Sequence, residues 1–237
     1  LRDYLDDGKG FRPVEFAATW LKNKKSIKEL KEELGIKREL SREPVFVFKG
    51  DEQSVIFTSR TSSGPEVFKY IPLSELSQSS SGSISVSKAD TLQDLFKYKS
   101  IKDFDYESWY TDRQILSLLS KHKFPNAIYG LVRLLTLDRN ISDNKDRQGE
   151  RPDLVLMARA GFNFNSGSVT EGDHGSIERA QVKNSLFLAK LGTADKRYYK
   201  DPSVPVMVKD ILPTILKING VSEKSNEWRP AWHTLFQ

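Results

Sequence analysis

Residues able to do chemistry are sparse in this chain and gather in Glu171-Gly-Asp-His-Gly-Ser176. Glycines on both sides of the Asp173–His174 pair allow a tight turn and positive φ, so the imidazole can project into a cleft instead of packing on its own strand. Neutral imidazole is the commonest nitrogen donor to zinc, and a lone His needs carboxylates or further His to complete a four-coordinate site. The other two histidines offer no help. His122 sits in Ser120-Lys-His-Lys-Phe124 and His233 in the C-terminal tail, neither beside a periodic carboxylate cluster. The plain alternative for His174 is a turn histidine hydrogen-bonded to neighbouring backbone.

The elements that would hold this turn are short apolar runs. Leu154-Val-Leu-Met157 and Leu186-Phe-Leu188 predict strands covered on both faces by helices. The stretch from Gly161 to Gly172 is then a loop at the sheet edge, where ligands sit in α/β layer proteins. Val206 to Ile218 predicts a helix stopped by Gly220, with Pro213 marking a kink or a start. In it, Asp210 and Thr214 suit a cap and a buried hydroxyl partner. Trp228, Trp232 and Phe236 predict a packing strap.

Upstream, apolar residues at Val14, Ala17, Ala18 and Leu21 behind Pro13 predict a helix over 11–21. Ser26 and Glu29 predict a capping box for a second helix through Ile27, Leu30 and Leu34, ended by Gly35. Lys22 to Lys25 would be a phosphate patch or simply a charged connection. Pro44 to Phe48 and Ser54 to Thr58 predict a hairpin, Val67 to Ile71 a further strand, and the serine-rich Ser77 to Ser87 a loop, or a lid over a cleft. Thr111 with Gln114 predicts a capping box, and Pro125 a restart through Ile128, Leu131, Val132 and Leu135. Trp109 and Tyr110 suit core packing, or stacking on a base. Ser142 to Arg151 predicts a surface loop.

Composition narrows the classes. The 237 residues, 38% of them hydrophobic, suffice for one large domain or two small ones. With no Cys, disulfides, thiolate zinc sites and cysteine nucleophiles are excluded. The net charge of +5 comes from 37 basic and 32 acidic residues that interleave, which slightly favours anionic substrates and predicts no specific nucleic-acid binding. No run approaches the ~18 apolar residues of a membrane span.

Arg151-Pro-Asp-Leu-Val-Leu-Met-Ala158, then Gly161-Phe162, Gly172-Asp-His-Gly-Ser176, and Asp210-Ile-Leu-Pro-Thr214 follow one another in an order that resembles the C-terminal part of alkaline-phosphatase-superfamily hydrolases. The type I phosphodiesterase and nucleotide pyrophosphatase branch is the most similar. The resemblance covers Arg151 to Val221. It implies an α/β fold, part of a three-layer αβα sandwich over 111–237, with the helices, hairpin and serine-rich loop of 1–110 as a cap or insert. Two Gly-flanked His motifs occur in that family, and the polar stretch from Asn163 to Gly172 matches the later one, which gives its His alone. The resemblance therefore implies His174 as metal ligand, with Asp173 and Gly175 supporting it, and two zinc or similar divalent ions whose other ligands lie elsewhere. It implies hydrolysis of a small phosphate ester; a periplasmic or secreted home fits the family, and a cytoplasmic one stays open. The nucleophile expected after an early strand is missing; Thr61-Ser-Ser63 is the nearest substitute and reads first as a turn. The expectation is thus the C-terminal portion of a longer enzyme, inactive without its N-terminal part. The alternative is a non-catalytic α/β binding module.

Overall fold

The computed structural model describes residues 14–60, 64–78, 83–89, 94–136, 152–159 and 177–179, together with Ile211, Ile215 and Leu216. The elements are β1 (Val14–Trp20), α1 (Lys24–Glu33), β2 (Val45–Lys49), β3 (Glu52–Arg60), β4 (Glu66–Gln78), β5 (Ile84–Lys88), a 3-10 turn at Tyr98–Ser100, β6 (Tyr110–Thr111), α2 (Asp112–Leu119), α3 (Ala127–Thr136) and β7 (Leu154–Ala158). The chain divides into two compact units, Leu1–Lys183 and Asn184–Gln237. All elements just named belong to the first.

The protein is mixed α/β. One seven-stranded sheet runs β5-β4-β3-β2-β1-β7, with β6 paired to β4, and every strand pair among the described residues is antiparallel. Both faces of its middle strands are buried because their side chains alternate between two cores. Val45, Val47, Ile56, Phe68 and Tyr70 face a core completed by α2, α3 and the 94–110 connection. Phe46, Val55, Phe57, Ile71 and Leu73 face the other, closed by Leu30 and Leu34 of α1. Helices therefore cover the sheet on each side, and the near-continuous apolar runs of β2 and β3 follow from that.

Several expectations hold. The β2–β3 hairpin forms with Gly50-Asp51 as its two-residue turn, Gly50 taking φ +59°, a conformation glycine adopts without strain. The Thr111–Gln114 capping box is complete: the Thr111 hydroxyl accepts from Gln114 N at 3.3 Å, and Gln114 Oε1 accepts from Thr111 N at 2.8 Å. Helix α1 forms too, but its cap is Asn23, whose Oδ1 accepts from Lys25 N and Ser26 N, so Ser26 lies inside the first turn. Ile211, Ile215 and Leu216 are helical; the rest of the predicted 206–218 helix and the Leu186–Leu188 run lie outside the described residues.

Three expectations are corrected. The predicted helix over 11–21 is β1: Val14, Phe16, Thr19 and Trp20 are β-branched or aromatic, and Phe16 and Ala18 enter one core while Ala17 is buried between them on the opposite face. The continuous run Phe16-Ala-Ala18 fits a strand buried on both faces as well as a helix, and pairing with β2 and β7 decides it. Half of the serine-rich loop is sheet. β4 runs to Gln78, and β5 buries Ile84 and Val86 while its serines face solvent, the alternation of a half-buried strand. Pro72 within β4 is tolerated because its carbonyl accepts from Ala89 N, just past the last regular β4–β5 pairs and beside a bulge, so its missing N–H points where the ladder ends. Finally, β7 is not covered on both faces. Met157 is buried in the core, but Leu154 and Leu156 are 41% and 42% exposed.

Candidate functional site

The charged residues that converge lie at a bulge in β1. Val14 pairs with Ala158 and Phe16 with Met157, leaving Glu15 as the extra residue between them. A bulge re-aims the side chain it carries. Here it directs a carboxylate, buried to 6% exposure, toward three cations from three different places in the fold. Glu15 Oε1 lies 3.2 Å from Lys49 Nζ at the end of β2 and 3.3 Å from Lys123 Nζ in the turn before α3. Glu15 Oε2 lies 3.5 Å from Arg159 Nε, one residue past β7. Lys123 Nζ is also 3.2 Å from Glu178 Oε1.

The magnitudes explain why one cation would not do. Taking a carboxylate out of water costs several kcal/mol, and a single pair at about 4 Å returns ~4 kcal/mol at an effective dielectric of 20. One partner roughly breaks even; three leave the buried charge well compensated. Burial pushes the Glu15 carboxyl up, but the hydrogen bonds and charges of Lys49 and Lys123 outweigh it and hold the group below its ordinary 4.5.

This cluster stands at both ends of the segment that carries His174. Arg159 precedes residues 160–176, and Ile177-Glu178-Arg179 follow them. Ile177 is buried against the α3 core, Arg179 N donates to the Lys123 carbonyl at 2.7 Å, and Arg179 Nε donates to the Ser120 carbonyl at 3.0 Å. Exit and return of the segment are therefore joined through Glu15 and Lys123. Asp173, His174 and Gly175 themselves lie outside the described residues, as do Thr61 to Ser63, His233, Asp210 and Thr214.

A second cluster is built on Asp94, 3% exposed. Its Oδ1 accepts from the Tyr70 hydroxyl at 2.7 Å and from Phe96 N at 3.1 Å; its Oδ2 accepts from the Tyr106 hydroxyl at 2.5 Å and from Lys99 N at 3.1 Å. Burial, and then the Asp94 charge, raises the Tyr70 and Tyr98 phenols well above their ordinary 10.0. Four donors on one carboxylate saturate it, so this network fixes the 94–110 connection to the sheet and offers no open acceptor for a substrate. His122 packs on its edge, its ring 5.0 Å from that of Tyr98 and its Nδ1 accepting from Phe124 N at 3.2 Å. Burial lowers its pKa from 6.5 against the opposing pull of Asp94, which favours the neutral imidazole.

Other candidates resolve into packing and surface charge. Lys22 pairs with Asp153 at 2.5 Å and lies over the Trp20 ring, and Lys25 pairs with Glu29, which favours the charged connection over a phosphate patch. Tyr110 stacks on Phe104 at 5.2 Å and Trp109 packs against the α1-side core, so both are structural. Among the described residues no three His, Asp or Glu side chains converge as a metal site requires.

Sequence reasoning passed over Glu15, Lys49, Lys123, Arg159 and Asp94. Only Glu15 left a local trace, as a single acid inside the apolar run from Val14 to Ala18. The others are ordinary charges until the sheet gathers them. Comparison with known protein families, with curated proteins and with solved structures finds no match for this chain.

Proposed function

We propose that this chain is the C-terminal portion of a metal-dependent hydrolase of phosphate esters, of the phosphodiesterase or nucleotide pyrophosphatase type, with His174 as a metal ligand and Asp173 and Gly175 shaping its turn. The observation that supports this best is the joining of Arg159 and Glu178, the two flanks of the His174 segment, at a buried carboxylate ringed by cations. A segment whose two flanks are held in place can present a ligand with a reproducible geometry, which catalytic constellations require. Strand β7 ahead of that segment and a mixed α/β architecture are compatible with this reading at the level of fold class.

Zinc, when bound, would polarise the phosphoryl oxygens and lower the pKa of an attacking hydroxyl. The contribution of the described residues is electrostatic: cations held at the segment's base favour an approaching phosphate ester. The test compares zinc content and bis(p-nitrophenyl) phosphate hydrolysis of the full natural polypeptide with those of His174→Ala. Loss of zinc and of turnover is expected. Equal zinc and equal turnover in the two proteins would remove the assignment, and a wild-type protein with neither would leave the non-catalytic binding module.

A further inference from the structure

The Glu15 cluster holds more positive than negative charge. Lys49, Lys123 and Arg159 face Glu15 and Glu178, three cations against two carboxylates. Its layering is also uneven. The Glu15 side chain is 5% exposed, whereas those of Lys49, Lys123 and Arg159 are 34%, 54% and 51% exposed. The carboxylate thus lies beneath and the cationic heads lie above it, open to water.

Each head retains capacity to bind. An ammonium has three donors: Lys49 gives one to Glu15, and Lys123 gives one to Glu15 and faces Glu178 at 3.2 Å, which leaves it one. Arg159 approaches Glu15 through Nε at 3.5 Å, and a guanidinium carries four further N–H donors on its Nη groups. The three cations come from the end of β2, the turn before α3 and the residue after β7, and they meet at one carboxylate. A planar carboxylate already occupies the buried side. A tetrahedral oxyanion, with acceptors pointing in several directions, suits donors converging from three elements on the open side.

We propose that Lys49, Lys123 and Arg159 form a binding site for the phosphoryl group of a phosphate ester, with Glu15 as the buried counter-charge that holds the three cations together. This deepens the hydrolase reading by assigning residues to its substrate's anion and rests on that reading for the ester. The binding itself needs no metal.

The experiment is calorimetric titration of the natural polypeptide with inorganic phosphate and with phenyl phosphate, in EDTA, with acetate at equal ionic strength as control. Variants Arg159→Gln, Lys123→Gln and, away from the cluster, Lys22→Gln are titrated alongside. Both phosphates are expected to bind, acetate is not, and each cluster variant weakens binding about tenfold, as loss of one charge-assisted hydrogen bond does. Lys22→Gln is expected to bind like wild type. Circular dichroism and the thermal midpoint check that the variants fold; a cluster variant that does not fold is replaced by Arg159→Lys, which keeps the charge, loses the fork and is expected to fall between. Absence of phosphate binding, equal binding of acetate, or undiminished binding in the cluster variants would overturn the proposal. Inorganic phosphate binding without phenyl phosphate would overturn the ester assignment. Metal-free His174→Ala is expected to bind phosphate like wild type, so failure here and failure of the zinc reading are separate results.

Discussion

Removing the Asp94 carboxylate is the sharpest test of what holds the first unit together. Asp94→Ala removes the shared acceptor of four donors at once. The Tyr70 hydroxyl and Phe96 N are fully buried, while the Tyr106 hydroxyl and Lys99 N are partly reached by water. A buried donor left unmade costs about 1–3 kcal/mol, so the two buried ones alone give ~2–6 kcal/mol, and the other two re-solvate at small cost. Asp94→Asn keeps one oxygen and the shape. Its amide can donate to a tyrosine hydroxyl, but it opposes one backbone N–H, so about 1–3 kcal/mol is expected. Tyr70→Phe removes one donor and leaves Asp94 three; combined with Asp94→Ala it should show a coupling of ~1–3 kcal/mol, because the second change removes an orphan that the first created. Urea unfolding followed by tyrosine and tryptophan fluorescence reads these losses. With m near 2 kcal/mol/M, a loss of ~4 kcal/mol moves the midpoint by about 2 M. A loss below about 1 kcal/mol for Asp94→Ala, or additivity with Tyr70→Phe, would refute the account of Asp94 as a keystone.

Three further outcomes follow from other parts of the fold. Glu107 bonds Lys88 Nζ at 2.7 Å and Lys69 Nζ at 2.9 Å, and those hydrogen bonds bring its pKa from 4.5 down to about 2. A carboxyl depressed on folding adds stability above its unfolded value and loses it as pH falls toward the folded one. Urea midpoints of wild type should therefore fall more steeply than those of Glu107→Gln between pH 4.5 and 2, and parallel curves would contradict the pairing. Glu66, with its side chain 7% exposed, meets Arg42 Nε at 2.7 Å and Arg133 Nη2 at 3.2 Å. Glu66→Gln leaves two guanidinium groups without that charge and should cost about 3–5 kcal/mol in the same assay, a loss under ~1 kcal/mol arguing against a desolvated triad. On β7, Leu156→Thr should change stability by no more than about 0.5 kcal/mol, whereas Met157→Ala should cost ~2–5 kcal/mol. Equal losses at the two positions would mean that β7 buries both faces.

Elements whose signals are local are legible before any tertiary contact is considered. The Gly-containing stretch from Lys49 to Gln53 between two β-branched and aromatic runs specifies a hairpin, which the structure tightens to a two-residue turn, and Thr111 with Gln114 specifies a helix start, because in each case the partners lie within a few residues of one another. The sequence also carried the ordered motifs from Arg151 onward on which the hydrolase proposal rests. Tertiary structure alone decided three things. Residues 14–20 are a strand because β2 and β7 pair with both their edges, a non-local gain that overrides an ambiguous apolar spacing. The serines of β5 extend a sheet because Ile84 and Val86 between them reach a core that α1 closes from far upstream. And Glu15, Lys49, Lys123 and Arg159 become one site because a bulge turns a single carboxylate toward charges that the chain scatters over more than a hundred residues. A charge in a sequence has a type but no neighbours; only the folded sheet supplies the distances that make a cluster of it.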